Sequence, residues 1–142
     1  VGWFLTRGNF NILCFLYYTM EVIVDSSFLI SAFLARIDFL SQLEAKGFTI
    51  VVPKEVIDEM KDLKMKKGQS HDVKMAVDSL LELLEQKKVK KISLGKGKVD
   101  DGLIKKGKEG VHIATLDKGI RREIPRRVIL LTAKKQILVE SD

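Results

Sequence analysis

The chain has 142 residues, 46% of them hydrophobic and 31% charged, with only two prolines, which leaves room for one domain with a real core and none for a disordered linker. A lone cysteine, Cys14, excludes an intrachain disulfide and a cysteine-built zinc site, and favours an intracellular, cytoplasmic protein. The formal net charge is +6, and the excess is clustered in Lys64/Lys66/Lys67, in the lysines between 87 and 98, and in Arg121/Arg122/Arg126/Arg127, which favours a polyanionic partner.

Residues 1–19 differ in character from the rest of the chain. They hold Trp3 and both tyrosines, no acid and only Arg7 as a base. The apolar run Ile12–Tyr18 is too short to span a bilayer, and no small-residue cleavage site comes after it. Met20 is therefore expected to be the natural start, with residues 1–19 an added or over-extended leader and residues 20–142 the single domain. So many apolar groups would be expected to pack on the domain or against another copy.

Val22, Ile23 and Val24 form an unbroken β-branched run, the pattern of a strand buried on both faces of a parallel sheet. Asp25 comes at once, then Ser26 and Ser27, good helix caps, and an apolar stretch from Phe28 to Lys46 that reads as one or two helices ended by Gly47. A second buried strand is expected over Phe48–Val52, and Pro53 opens a helix over Lys54–Leu63. Ser70 caps a long helix, His71–Lys87, and a lysine-rich edge strand is expected over Val89–Leu94. The pattern then predicts a helix over Asp100–Lys108, a strand over Val111–Ala114, a helix over Lys118–Ile124, a core strand over Val128–Leu131 and a last short strand at Ile137–Val139. Strands alternating with helices imply right-handed crossovers. The expected fold class is a three-layer α/β/α sandwich around a mostly parallel, roughly five-stranded sheet.

On that frame the acids can be placed. Asp25 and Asp117 both stand at the carboxyl end of a strand, the edge where open α/β sheets bind ligands. In the helix after Pro53, Val56, Ile57, Met60 and Leu63 define the buried face; Glu59 lies about 90° from its centre and Asp58 about 170°. In VDDGLIKKG, Asp100 falls almost over the inner face marked by Leu103, Ile104 and Gly107, and Asp101 falls to one side. Each acid taken singly reads as a helix cap or a surface residue. Four together at one edge would repel and raise one another's pKa values. A hard cation such as Mg²⁺ or Mn²⁺, held by carboxylates, water and phosphate, resolves that repulsion. His71 and His112 read as structural.

VDSSFLI around Asp25, VVPKEVIDEM around Glu59, VDDGLI around Asp100 and IATLDKGI around Asp117 occur in an order and spacing that resembles the PIN domains, a family of metal-dependent ribonucleases, over about Met20–Val139. The resemblance implies Asp25, Glu59, Asp100 and Asp117 as the catalytic acids, with Asp25, Asp100 and Asp117 holding Mg²⁺ or Mn²⁺. Ser27, where Asn is frequent in the family, and Thr115 would orient ligands, and Asp101 is a spare carboxylate beside Asp100. It implies hydrolysis of RNA phosphodiester bonds, with Lys64, Lys66, Lys67, Arg121 and Arg122 gripping phosphates. The VDD pair, the ATxD signature and KGIRREI look most like PIN proteins of the ribosomal-RNA-processing type, whose substrate would be single-stranded RNA or an rRNA precursor. A ribonuclease toxin with an antitoxin partner is the alternative, although such toxins usually carry Asp-Ala in place of Asp100-Asp101. A homodimer is open, since PIN domains often pair; no membrane partner is expected. A non-catalytic RNA-binding scaffold would keep the fold with a decayed acid site. A phosphoacceptor receiver fits poorly, because Asp25 stands alone and Val52 is followed by Pro53.

Overall fold

The structure, a computed structural model, describes residues 20–142, so the expectation for residues 1–19 lies outside the described residues. The chain runs β1 (Met20–Val24), α1 (Ser26–Leu34), α2 (Phe39–Ala45), β2 (Phe48–Pro53), α3 (Lys54–Met65) and α4 (His71–Gln86). It continues with β3 (Lys90–Ile92), α5 (Val99–Lys108), β4 (His112–Ala114), α6 (Lys118–Arg121), β5 (Arg126–Leu131), a 3₁₀ turn (Thr132–Lys134) and β6 (Gln136–Ser141). Among the described residues, no helix is long and apolar enough to cross a membrane.

The strands form one sheet in the order β3-β2-β1-β4-β5-β6. β1 pairs in parallel with β2 (Val22 beside Ile50) and with β4 (Val24 beside Ala114). The β-branched run of β1 is buried on both sides because alternate residues face different helix layers. Val22 and Val24 join Phe28, Leu29, Val56, Met60, Val77 and Leu80 in the larger core. Ile23 joins Val51, Leu103, Ile113, Ile120 and Ile124 in the smaller one. Helices α1–α4 thus cover one face and α5–α6 the other, which makes the three-layer sandwich. At Gly107 the α5 backbone lies hard against Ile124, since a Cβ there would stand 2.3 Å from its Cγ2.

Among the described residues the sheet has six strands against the roughly five expected, and the sixth, β6, is antiparallel to β5 (Val128 beside Val139). The reason is local. The connection is one 3₁₀ turn closed by Lys135 in the left-handed region (φ 52°), too short for a crossover, so the chain can only fold back as a hairpin. The long helical stretch after β1 divides into α1 and α2, with Arg36 at φ 58° and Asp38 capping α2 through the Ser41 amide. Strand order places β2 on one side of β1 and β4 on the other. The crevice beyond the carboxyl ends of β1 and β4 is therefore the topological switch point, where the fold leaves room for a ligand.

Candidate active site

Asp25 occupies that switch point. Its backbone N–H donates to the Ala114 carbonyl at 2.9 Å, so the β1–β4 pairing runs right up to it. It is the N-cap of α1, accepting the Ser26 amide on Oδ1 at 2.8 Å, so the cap is one residue earlier than the serines suggested. Its Oδ2 accepts the Thr115 hydroxyl at 2.8 Å, with the Ser27 hydroxyl more distant at 3.5 Å. Asp25 is only 6% exposed, and burial raises its pKa above the ordinary value. The bonds from Thr115 and Ser26 work against that rise, while the carboxylates of Glu59 and Asp100 add to it. The Asp25 carboxylate at the β1–α1 junction thus feels the charges of Glu59 from α3 and Asp100 from α5.

The remaining acid is joined through the backbone. Asp25 follows β1 directly, whereas Thr115 and Leu116 separate Asp117 from the end of β4, so it stands just past the strand end where it was expected; it caps α6 by accepting the Gly119 amide at 2.8 Å. Its own N–H donates to Oγ1 of Thr115 at 3.1 Å. Thr115 is fully buried, so one hydroxyl serves both junctions, giving a proton to Asp25 and taking one from the Asp117 amide. Ser27 repeats the device more weakly, accepting the Leu116 amide at 3.3 Å. Glu59 is engaged by the Ser26 hydroxyl, a contact across the α1–α3 boundary. Sequence reasoning gave Ser26 only a capping role.

Glu59 and Asp58 are both exposed, so helical phase separates them by neighbour and not by burial. Glu59 reaches Ser26, whereas Asp58 lines a groove of about 540 Å³ between α3, α4 and β3, floored by Ile57, Leu81 and Leu84. None of the four acids lines that groove. Asp100 differs from its expected place over the inner face of its helix: it is exposed, as is Asp101. Both lie in the first turn of α5, where the helix has only begun to cover the sheet and phase no longer implies burial.

The basic residues divide likewise. Arg121 and Arg122 share a shallow depression of about 280 Å³ with Lys118, Arg127 and Glu140, directly after the Asp117 cap. Arg127 is occupied there, pairing with Asp142 at 2.6 Å and Glu140 at 3.4 Å. Lys64 is occupied too, pairing with Asp78 across α3 and α4 at 2.5 Å. Lys66 and Lys67 lie past the end of α3, roughly 10 Å along the helix axis from Glu59. His112 is buried edge-on against Phe48, with ring centroids 4.8 Å apart, and burial lowers its pKa; it serves the core.

The donor set at the edge is all hard oxygen, which fits a hard divalent cation such as Mg²⁺ or Mn²⁺. Among the described residues, no group of three or more His, Cys, Asp or Glu side chains is placed to enclose an ion. That arrangement suits an ion held by one or two carboxylates with the remaining positions open to water and phosphate.

No family model matches the sequence, and no curated protein does. Solved structures do match. The PIN domain endonuclease Utp24 superposes with a TM-score of 0.66 over 86% of this chain and 92% of that one, at 17% identity. The PIN domain of human SMG5 aligns over 80% of this chain and 94% of that one, at 14% identity and a TM-score of 0.43. The fold of the chain is that of a PIN domain.

Proposed function

We propose that this protein is a divalent-metal-dependent endoribonuclease. The observation that carries the reading is the buried Asp25 carboxylate at the switch point, facing Glu59 and Asp100 and sharing the Thr115 hydroxyl with the Asp117 backbone. Repulsion among acids held at one edge is a cost that a cation relieves. Asp25 and Asp100 would hold Mg²⁺ or Mn²⁺, with Asp117 at the same edge; the ion when bound would supply positive charge to a phosphodiester and an activated water for in-line attack.

The chain's own groups do the rest. Thr115 and the Ser26 amide fix the Asp25 carboxylate and favour its ionised form against the effect of burial. Ser26 holds Glu59 at the edge, where Glu59 takes up the proton released on attack. Lys118, Arg121 and Arg122, beside Asp117, grip phosphates flanking the cut and add affinity without reading sequence. An open edge lined by exposed Glu59, Asp100 and Asp117 suits a polymer passing across it. The VDD pair, the ATxD signature and the basic KGIRREI segment favour a substrate in ribosomal-RNA processing.

The test is cleavage of single-stranded RNA by the purified protein with Mn²⁺ or Mg²⁺, stopped by EDTA. Asp25→Asn and Asp117→Asn should each abolish it. Cleavage that survives both substitutions overturns the reading.

A further inference from the structure

We infer that Glu55 is a positioning residue for the candidate metal site: it fixes the loop that enters α5 and so sets where Asp100 stands relative to Asp25. The inference rests on the reading of the four acids as a metal site.

Asp25, Glu59 and Asp117 are tied into the edge by bonds of their own or of their immediate neighbours. Asp100 has no such tie among the described hydrogen bonds, and its position depends on how α5 begins. The local structure gives α5 little to begin from. Its N-cap is Lys98, which makes no side-chain capping bond. The residues before it are Gly95 and Gly97, both in the left-handed region at φ 87° and 105°, alternating with Lys96 and Lys98, whose charges repel. The strand before them, β3, is three residues long and among the described residues pairs only with β2.

Glu55 supplies what the loop lacks. Its two carboxylate oxygens both accept the Leu94 amide at 3.1 Å, and Oε2 also accepts the Ser93 hydroxyl at 3.1 Å. The Ser93 hydroxyl in turn accepts the Gly95 amide at 3.2 Å, so the grip extends into the glycine stretch. The link then passes to α5 by packing. A Cβ on Gly102 would stand 2.9 Å from Cβ of Leu94, so the helix backbone lies hard against the residue whose amide Glu55 holds. Gly102 is two residues from Asp100 in the same first turns of α5. Glu55 also stands one turn before Glu59 on α3, so one rigid helix carries both an acid of the edge and the anchor for another. Residues that orient ligands without touching the metal are commonly worth about 10- to 100-fold in metal affinity.

The experiment measures Mn²⁺ affinity of the full chain by calorimetry for wild type, Glu55→Ala and Glu55→Gln, each alone and combined with Asp100→Asn. Glu55→Ala should weaken Mn²⁺ binding by about tenfold, and Glu55→Gln by less, because its amide oxygen still accepts the Leu94 N–H. In the Asp100→Asn background, Glu55→Ala should change the affinity by less than about twofold, since the two residues act on one ligand. A loss of equal size in both backgrounds, or none in either, overturns the inference; the first marks Glu55 as merely structural. Thermal melting of Glu55→Gln shows whether the fold is kept, so a misfolded Ala variant does not decide the matter. If Asp25→Asn and Asp100→Asn leave Mn²⁺ affinity unchanged, the metal-site reading itself fails and takes this inference with it.

Discussion

Two junctions of the molecule read alike in sequence and differ in structure. At each, an aspartate between a parallel strand and a helix caps that helix: Asp25 directly after β1, and Asp117 three positions after the end of β4. Asp25 is buried, because β1 is a central strand and α1 lies against the larger core. Asp117 is exposed, because α6 is a single turn that begins only after the three residues Thr115, Leu116 and Asp117. For Asp25, what covers the carboxylate outweighs the cap: burial raises its pKa more than the Ser26 cap bond lowers it. Thr115 is the side chain bonded more closely at both junctions, so it is where the comparison can be broken.

The largest effects are expected on cleavage, where the two aspartates should behave alike. Asp25→Asn and Asp117→Asn should each lower RNA cutting by several kcal/mol of transition-state stabilisation, about two powers of ten or more. In stability they should part company. Asn caps a helix about as well as Asp, so Asp117→Asn should lie within about 0.5 kcal/mol of wild type. At position 25 every neighbour bonded to the carboxylate is a donor, so the amide nitrogen of Asn would face Ser26 N–H or the Thr115 and Ser27 hydroxyls. Denaturant melts that fail to separate the two variants would remove the distinction between the junctions.

Next in size is Thr115→Val, which keeps the shape and deletes the shared hydroxyl. It leaves Asp25 Oδ2 with only the distant Ser27 hydroxyl and the Asp117 amide without its acceptor. A buried polar group left unsatisfied costs about 1–3 kcal/mol. Thr115→Ser should recover most of the loss. A Val variant as stable as wild type would mean that water replaces the hydroxyl.

The β1–α1 junction was legible in sequence because two strong local signals meet there, a β-branched run and a capping triplet. The direction of β6 was not, because the reversal depends on Lys135 holding a left-handed conformation with no glycine to announce it. The exposure of Asp100 was hidden for another reason: helical phase describes a helix in full contact, and its first turn has only partial contact. The Lys64–Asp78 pair joins two helices across a loop, and Glu55 grips an amide 39 residues further on; neither has a signature in spacing. In sequence Glu55 is only an acid in the first turn of a helix, where the dipole alone would favour one.

A pH series in EDTA sharpens the contrast between acids that burial disfavours and acids that bonds favour. Asp25 in the folded protein has a pKa above its ordinary 3.8, so between 3.8 and the raised value the folded state holds a proton that the unfolded chain has lost. Its contribution to stability therefore falls as pH rises through that window. Glu55 has the opposite sign. Bonds from its own amide, Leu94 and Ser93 hold it below its ordinary 4.5, so its contribution is present above 4.5 and is lost as pH falls through the lowered value. Subtracting the melting profile of Asp25→Asn from that of wild type should leave a slope of the first sign. The Glu55→Gln subtraction should leave the second. Two flat differences would mean that neither carboxyl titrates differently on folding.

The smallest effect separates Asp100 from Asp58, acids that are both exposed and both on first or second helical turns after a strand. Asp100 acts on the buried Asp25 carboxylate, whereas Asp58 shares its groove with Lys54, Lys61 and Lys91. Removing a repulsive charge helps, and removing an attractive one does not. Asp100→Asn should therefore stabilise the metal-free protein, by about 0.2–1 kcal/mol as expected of exposed charges, or about 1–3 °C in Tm. Asp58→Asn should leave Tm unchanged or lower it slightly. Saturating Mg²⁺ should raise Tm of wild type by mass action and raise that of Asp100→Asn less, while Asp58→Asn responds as wild type does. The sign of the first shift is decisive. If Asp100→Asn lowers Tm in EDTA, Asp100 serves the first turn of α5 through the helix dipole more than it opposes Asp25, and the repulsion that calls for a cation is not there.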